Sequence, residues 1–220
     1  MEEYEPSSRT QAVGLLGGTF DPIHNGHLVI AEEVRATLGL ERMVFIPAGE
    51  PPHKPGRSVT PAHRRLEMVE LATASNPYFA LSHVELNRPG PSYLVDTLRL
   101  LHEQWGTNIA VSFVIGWDSL EELHTWHNPL GILAQLTHLV AVGRPGYTDE
   151  KAYHTLLEQR LPGIMQRLLV VPVPQMDISS TDLRQRVAQG RPIKYQTPEP
   201  VERYIIEHKL YLDSAVTEGR

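Results

Sequence analysis

The chain has 220 residues, of which 41% are hydrophobic and 21% charged, with a formal net charge of −6 and no cysteine. That length suits one domain with a real core, and the lack of Cys excludes disulfides, thiolate nucleophiles and Cys-based zinc sites. Net acidity without a Lys/Arg run argues against non-specific nucleic-acid binding, which needs a broad basic surface, and no run reaches the ~18 apolar residues of a membrane helix.

The opening MEEYEPSSRT is polar and lacks the apolar stretch of a secretory signal. Residues 1–10 are expected to form a mobile tail, residues 11–212 a single domain with a small C-terminal helical part, and residues 213–220 a second tail. AVGLL at 12–16 reads as a buried strand that stops at Gly17 and Gly18. Leu28, Ala31, Val34 and Leu38 keep helical spacing, and Gly39 can close that helix. MVFIP at 43–47 is the next strand, followed by a Pro-rich loop over 48–60. Thr60 then caps a helix with Pro61 in its first position, running to about Ala74.

Residues 79–86 read as a strand, and Ser92 can cap a helix through Gln104. Residues 109–115 are a strongly apolar strand ending at Gly116. A helical stretch over 130–136 precedes a strand over 139–142. Thr148 can cap a helix to about Arg160, and 168–173 is the last clear strand. Short helices follow over 181–189 and 201–208. This alternation predicts an α/β fold, a doubly wound, mostly parallel sheet flanked by helices. Ligands in such folds bind in the crevice at the strand C-terminal ends. Attention falls on residues 17–27, 47–54, 116–118 and 178–184.

The sharpest signal is GGTFDPIHNGH at 17–27. Gly17, Gly18, Thr19 and Phe20 lie between a strand and a helix, where glycines permit close backbone approach and the helix start offers free amides to a phosphate. His24 and His27, three apart, can face one anion. Asp21, His24 and His27 also have D-x-x-H-x-x-H spacing, which would suit zinc in a phosphoester hydrolase. No further ligand set stands out, so no resident metal is expected.

Four other segments converge on the same end of the sheet. PPHK at 51–54 offers Lys54 as a point charge for phosphate. ISSTDLR at 178–184 offers Ser179, Ser180 and Thr181 with Arg184 one turn inside; the plain alternative is a helix cap with an exposed arginine. GWDSL places Asp118 where it could accept from ribose hydroxyls or start a helix. Trp126, in HTWHN, offers a flat face for a ring or a core contact.

The His24-Asn25-Gly26-His27 element resembles the His-x-Gly-His signature of the nucleotidyltransferase superfamily. With the flanking GGTFDP it is similar to the bacterial nicotinate mononucleotide adenylyltransferases, over about residues 13–212. The resemblance implies a Rossmann-like nucleotidyltransferase fold. It implies adenylyl transfer from ATP to nicotinate mononucleotide in NAD biosynthesis, releasing pyrophosphate. The two histidines would bind and polarise ATP phosphates, best when protonated, a state that adjacent phosphate favours. Lys54 and Arg184 would hold the leaving pyrophosphate, and residues 179–181 the β,γ-phosphates. Tyr93, Asp118, Trp126 and Arg144 would serve the acceptor or nucleotide, with Trp126 against the pyridine ring.

Mg²⁺ would arrive with ATP, held mostly by substrate oxygens and water. The enzyme would be cytoplasmic, with small-molecule substrates and no nucleic-acid or membrane partner; a homo-oligomer is compatible with the sequence. Two residues depart from the family pattern. Leu94 stands where a threonine is expected, and His127 where an aromatic residue is expected. NMN or phosphopantetheine as acceptor, and a nucleotide-sensing module, are the remaining alternatives.

Overall fold

The computed structural model describes residues 3–8, 10–50, 59–143 and 150–212. In chain order its elements are β1 (Ala12–Gly18), α1 (Asn25–Leu38), β2 (Arg42–Pro47), α2 (Ala62–Thr73), β3 (Phe79–Leu81), α3 (Leu94–Trp105) and β4 (Ala110–Gly116), then α4 (Trp117–Glu122), α5 (Pro129–Gln135), β5 (His138–Val142), α6 (Glu150–Arg160), β6 (Leu168–Val171), α7 (Ser180–Ala188) and α8 (Glu199–Glu207).

The strands form one sheet in the order β3-β2-β1-β4-β5-β6, and every pair among them is parallel. The order reverses direction between β1 and β4, so the crevice at their C-terminal ends is the topological switch point. Successive side chains on a strand point to opposite faces. Val13 and Leu15, Val44 and Ile46, Val111 and Phe113 pack into a core with α3, α5 and α6. Leu16, Met43, Phe45, Val114 and Val140 pack on the other face with α1, α2, α7 and α8. Burial on both faces explains why these strands read as continuous apolar runs.

Several boundaries differ from the sequence expectation for local reasons. Gly39 closes α1 in the left-handed conformation, as its position implies. The expected strand over 79–86 stops at Leu81, because the amides of Leu86 and Asn87 both turn back to the His83 carbonyl. Pro61, not Thr60, occupies the N-cap position of α2, and the Thr60 amide donates to the Asp21 carboxylate. Ser92 does not cap α3, since Tyr93 takes that position; the Ser92 hydroxyl accepts from the Gly49 amide. The N-terminal segment is tied down at Glu3 and Tyr4. The Tyr4 amide donates to the Leu81 carbonyl, and the Glu3 carboxylate accepts from the Ser82 hydroxyl and the His83 amide, both at 2.6 Å. These bonds use the last carbonyl of the edge strand β3 and two donors just past it, and they do not fit a free tail at these two residues. Thr148 and the tail at 213–220 lie outside the described residues. No helix among the described residues is long and apolar enough to cross a membrane.

Candidate active site

The loop between β1 and α1 carries the imidazole pair. His24 sits at the N-cap position of α1 with extended backbone, and its ring stacks on that of His27, with centroids 3.7 Å apart and planes at 27°. The His24 amide donates to His27 Nδ1 at 3.2 Å. That bond fixes the neutral tautomer of His27: Nδ1 is the acceptor, so the proton lies on Nε2. Gly26 is required here, because a Cβ would lie 3.0 Å from His24 Nδ1 and press on the ring. Phe20, with φ of 48°, turns its ring inward and meets His27 edge-on at 5.1 Å. Its ring is buried in the core.

The loop is braced from three directions. The Asp21 carboxylate accepts from the Tyr211 hydroxyl at 2.8 Å and from the Thr60 amide at 3.2 Å. Ser180 donates its hydroxyl to the Pro22 carbonyl at 2.8 Å, and Arg184 donates to the Asp21 carbonyl at 2.7 Å. The Thr197 hydroxyl donates to the Ile23 carbonyl at 2.9 Å. Ser179 is the cap of α7, accepting from the Asp182 amide. Thus Ser180 and Arg184 bond to the backbone of the His24 loop, and the Ser179 hydroxyl oxygen accepts from its own helix. Thr181 accepts from Arg184 at 3.3 Å.

Asp21 faces Tyr211 and Thr60 rather than joining the two imidazoles. Among the described residues no group of three or more acidic or His side chains could hold a metal. The zinc-site alternative has no ligand set there.

Burial lowers the His24 pKa to about 4. Burial, with a smaller repulsion from His24, lowers that of His27 to about 3. Both rings are therefore neutral at pH 7 in these surroundings, and the protonated pair that the resemblance implies depends on the approach of phosphate. His24 Nδ1 is buried and has no hydrogen-bond partner among the described residues.

Beside this loop lies a cleft of ≈ 270 Å³ at the β1/β4 crevice. Gly17, Gly18 and Thr19 form one wall, Tyr93, Leu94, Trp126 and His127 another, and Phe113 and Ile132 line it as well. Tyr93 and His127 stack with centroids 4.4 Å apart. His127 thus keeps the flat contact that an aromatic residue would make at its position. Glu85 and Ser92, which the sequence did not single out, also line the cleft. Glu85 is buried, accepts from the Thr97 hydroxyl at 2.7 Å, and has its pKa raised by burial. Asp118 is exposed in the first turn of α4 and is not among the residues that line the cleft; Gly116, not Asp118, takes the N-cap position. Lys54 and Arg144 lie outside the described residues.

Comparison with known proteins agrees with this geometry. A family model described as Cytidylyltransferase-like matches residues 15–186. A protein of Roseiflexus castenholzii named "Probable nicotinate-nucleotide adenylyltransferase" is 53% identical over 199 residues, covering 90% of this chain and 96% of that protein. One of the same name from Thermomicrobium roseum is 48% identical, covering 90% and 91%. The solved nicotinic acid mononucleotide adenylyltransferase of Plasmodium falciparum, complexed with NaAD, superposes with a TM-score of 0.72 at 17% identity, covering 91% of this chain and 97% of that one. That structural likeness shows the shared Rossmann-like fold, and the sequence identities settle kinship: the chain belongs to the nicotinate-nucleotide adenylyltransferase family.

Proposed function

We propose that the chain transfers the adenylyl group of ATP to nicotinate mononucleotide, giving deamido-NAD and pyrophosphate. The observation that carries this reading is the joining of two half-sites at one switch point. A helix start with two stacked imidazoles lies beside a cleft lined by Tyr93, Trp126 and His127. The P. falciparum structure, with its dinucleotide product, is the same fold.

In the proposed reaction a 5′-phosphate oxygen of the acceptor attacks the α-phosphorus of ATP. That P–O bond forms as the bond to the β-phosphate bridging oxygen breaks, and pyrophosphate leaves. The attacking phosphate is already ionised, so no protein nucleophile is needed. Alignment and charge stabilisation supply the rate. His27 Nε2–H and the His24 ring are the donors for the phosphates around the reacting centre. The approach of phosphate favours the protonated form of a histidine, so binding is expected to draw protons onto a pair that is neutral beforehand. Arg184 uses two of its five N–H groups within the protein; the rest are available to pyrophosphate, together with Lys54. Thr181 and the amides at the start of α7 serve the same end.

Trp126 and Tyr93 take the pyridine ring, Asp118 a ribose and Arg144 the nucleotide. Mg²⁺ enters as Mg·ATP, since the described residues offer it no cage of their own. A cytoplasmic enzyme with small-molecule substrates belongs to the same reading. The test compares initial rates of pyrophosphate release with nicotinate mononucleotide, NMN and phosphopantetheine. Fastest release with the first is the expected result. Faster release with either of the others reassigns the acceptor, and none with any of them overturns the proposal.

A further inference from the structure

Arg65 is 1% exposed, among the largest fully buried side chains of the molecule. Its neighbour Arg64 instead reaches Tyr204 and Glu67 at the surface. Among the described residues no carboxylate lies within ion-pair distance of Arg65; all its bonds go to backbone carbonyls. Nε donates to Thr60 at 2.9 Å, Nη1 to Thr19 at 2.8 Å, and Nη2 to Ala48 at 2.6 Å and Gly49 at 3.1 Å. Burial lowers its pKa, and the negative charges of Asp21 and Glu85 at longer range oppose that shift.

A cation buried without a counter-ion is costly even when hydrogen-bonded, and an apolar side chain of similar volume would avoid that cost. What an apolar side chain cannot do is hold several segments in register. The planar guanidinium has a fixed fork of donors, and here the fork spans the loop after β1, the loop after β2 and the start of α2. Thr19 and Ala48 are both walls of the cleft. Beyond them the connection continues across the floor. The Gly49 amide donates to Ser92 Oγ at 3.0 Å, and the Ser92 amide donates to the Glu50 carbonyl at 2.9 Å. Ser92 and Glu85 form the far wall. Gly49 lies so close to this wall that a Cβ would collide with the Glu85 carbonyl.

We propose that Arg65 is a positioning residue for the adenylyl transfer. It sets the separation between the loop that takes ATP and the wall that takes the acceptor, so that the attacking phosphate lines up with the α-phosphorus. This inference rests on the assignment of those two half-sites given above. In-line displacement is sensitive to such a separation, since misplacement by about 1 Å costs on the order of 100-fold in rate. Each half-site keeps its own contacts when Arg65 is changed, so the effect falls on kcat.

The experiment measures kcat, both KM values and Tm for wild type, Arg65→Lys, Arg65→Met and Gly49→Ala, with Mg·ATP and nicotinate mononucleotide. Arg65→Lys keeps the charge but has one head for three segments. Its kcat per folded molecule should fall about 10- to 100-fold, with each KM within about threefold. Arg65→Met should show the same split. Gly49→Ala pushes the same loop off the far wall without touching Arg65, and carries the test if the Arg65 variants do not fold. Its loss and that of Arg65→Lys should not multiply in the double variant. Unchanged kcat with a lowered Tm would make Arg65 merely structural, and a raised KM at unchanged kcat would make it a binding group; either overturns the proposal. An inactive wild type would instead refute the assignment of the half-sites, whatever Arg65 does.

Discussion

At the scale of single residues, the site is a pair of rings held neutral by their surroundings. An unfolded histidine takes up its proton near pH 6.5, whereas the folded values are about 4 and about 3. The folded state thus binds fewer protons over that interval. The contribution to stability is complete above pH 6.5 and is lost as pH falls toward 4 and 3. At pH 5.5 the loss is about 1.4 kcal/mol for each ring. Urea unfolding should therefore show wild type losing about 2–3 kcal/mol more between pH 7.5 and 5.5 than a His24→Gln/His27→Gln double variant. Equal losses in the two proteins would contradict the assigned burial. The same neutrality was beyond the reach of the sequence. H-x-G-H spacing brings the rings together, but the desolvation comes from residues distant in the chain.

At the scale of elements, α7 is a brace for the His24 loop. Its cap, Ser179, accepts from the Asp182 amide, while Ser180 and Arg184 reach Pro22 and Asp21. Ser179→Ala should cost about 1 kcal/mol in thermal or urea unfolding and leave the KM for ATP within about threefold. A tenfold rise in that KM without a stability loss would mean that Ser179 contacts phosphate instead. Legibility at this scale follows the range of the interactions. The strand alternation, the β1-loop-α1 unit and the Gly39 stop depend on neighbours in sequence, and the sequence shows them. The Ser92 hydroxyl goes to the Gly49 amide 43 residues away instead of capping α3, which the sequence reading missed; β3 is cut short by a local turn at His83 that no Gly or Pro marks. Arg65 left one readable trace. It stands on the stripe of α2 that buries Met68, Val69, Ala72 and Thr73, an unusual place for an unpaired cation. Its carbonyl partners, such as Thr19 at a separation of 46 residues, are visible only in the fold.

At the scale of the whole molecule, the parallel sheet places the end of β1 between the imidazole loop and the ring-lined cleft. Gly17, Gly18 and Thr19 belong to the loop of the imidazoles and to the wall of the ring-lined cleft at once. The imidazoles and the rings sit on different segments, so the two proposed functions should be separable by mutation. Trp126→Ala should raise the KM for nicotinate mononucleotide about tenfold or more, through loss of ring stacking, and leave that for ATP nearly unchanged. A matching rise for ATP would place Trp126 in the other half-site. In the same cleft His127 stacks on Tyr93, while Leu94 lends an apolar surface. The central claim is that the imidazole pair acts on the triphosphate, and the turnover of His27→Ala tests it most directly. With Mg·ATP and nicotinate mononucleotide saturating, the folded variant should release pyrophosphate about 100-fold more slowly than wild type; a rate equal to wild type would contradict the account.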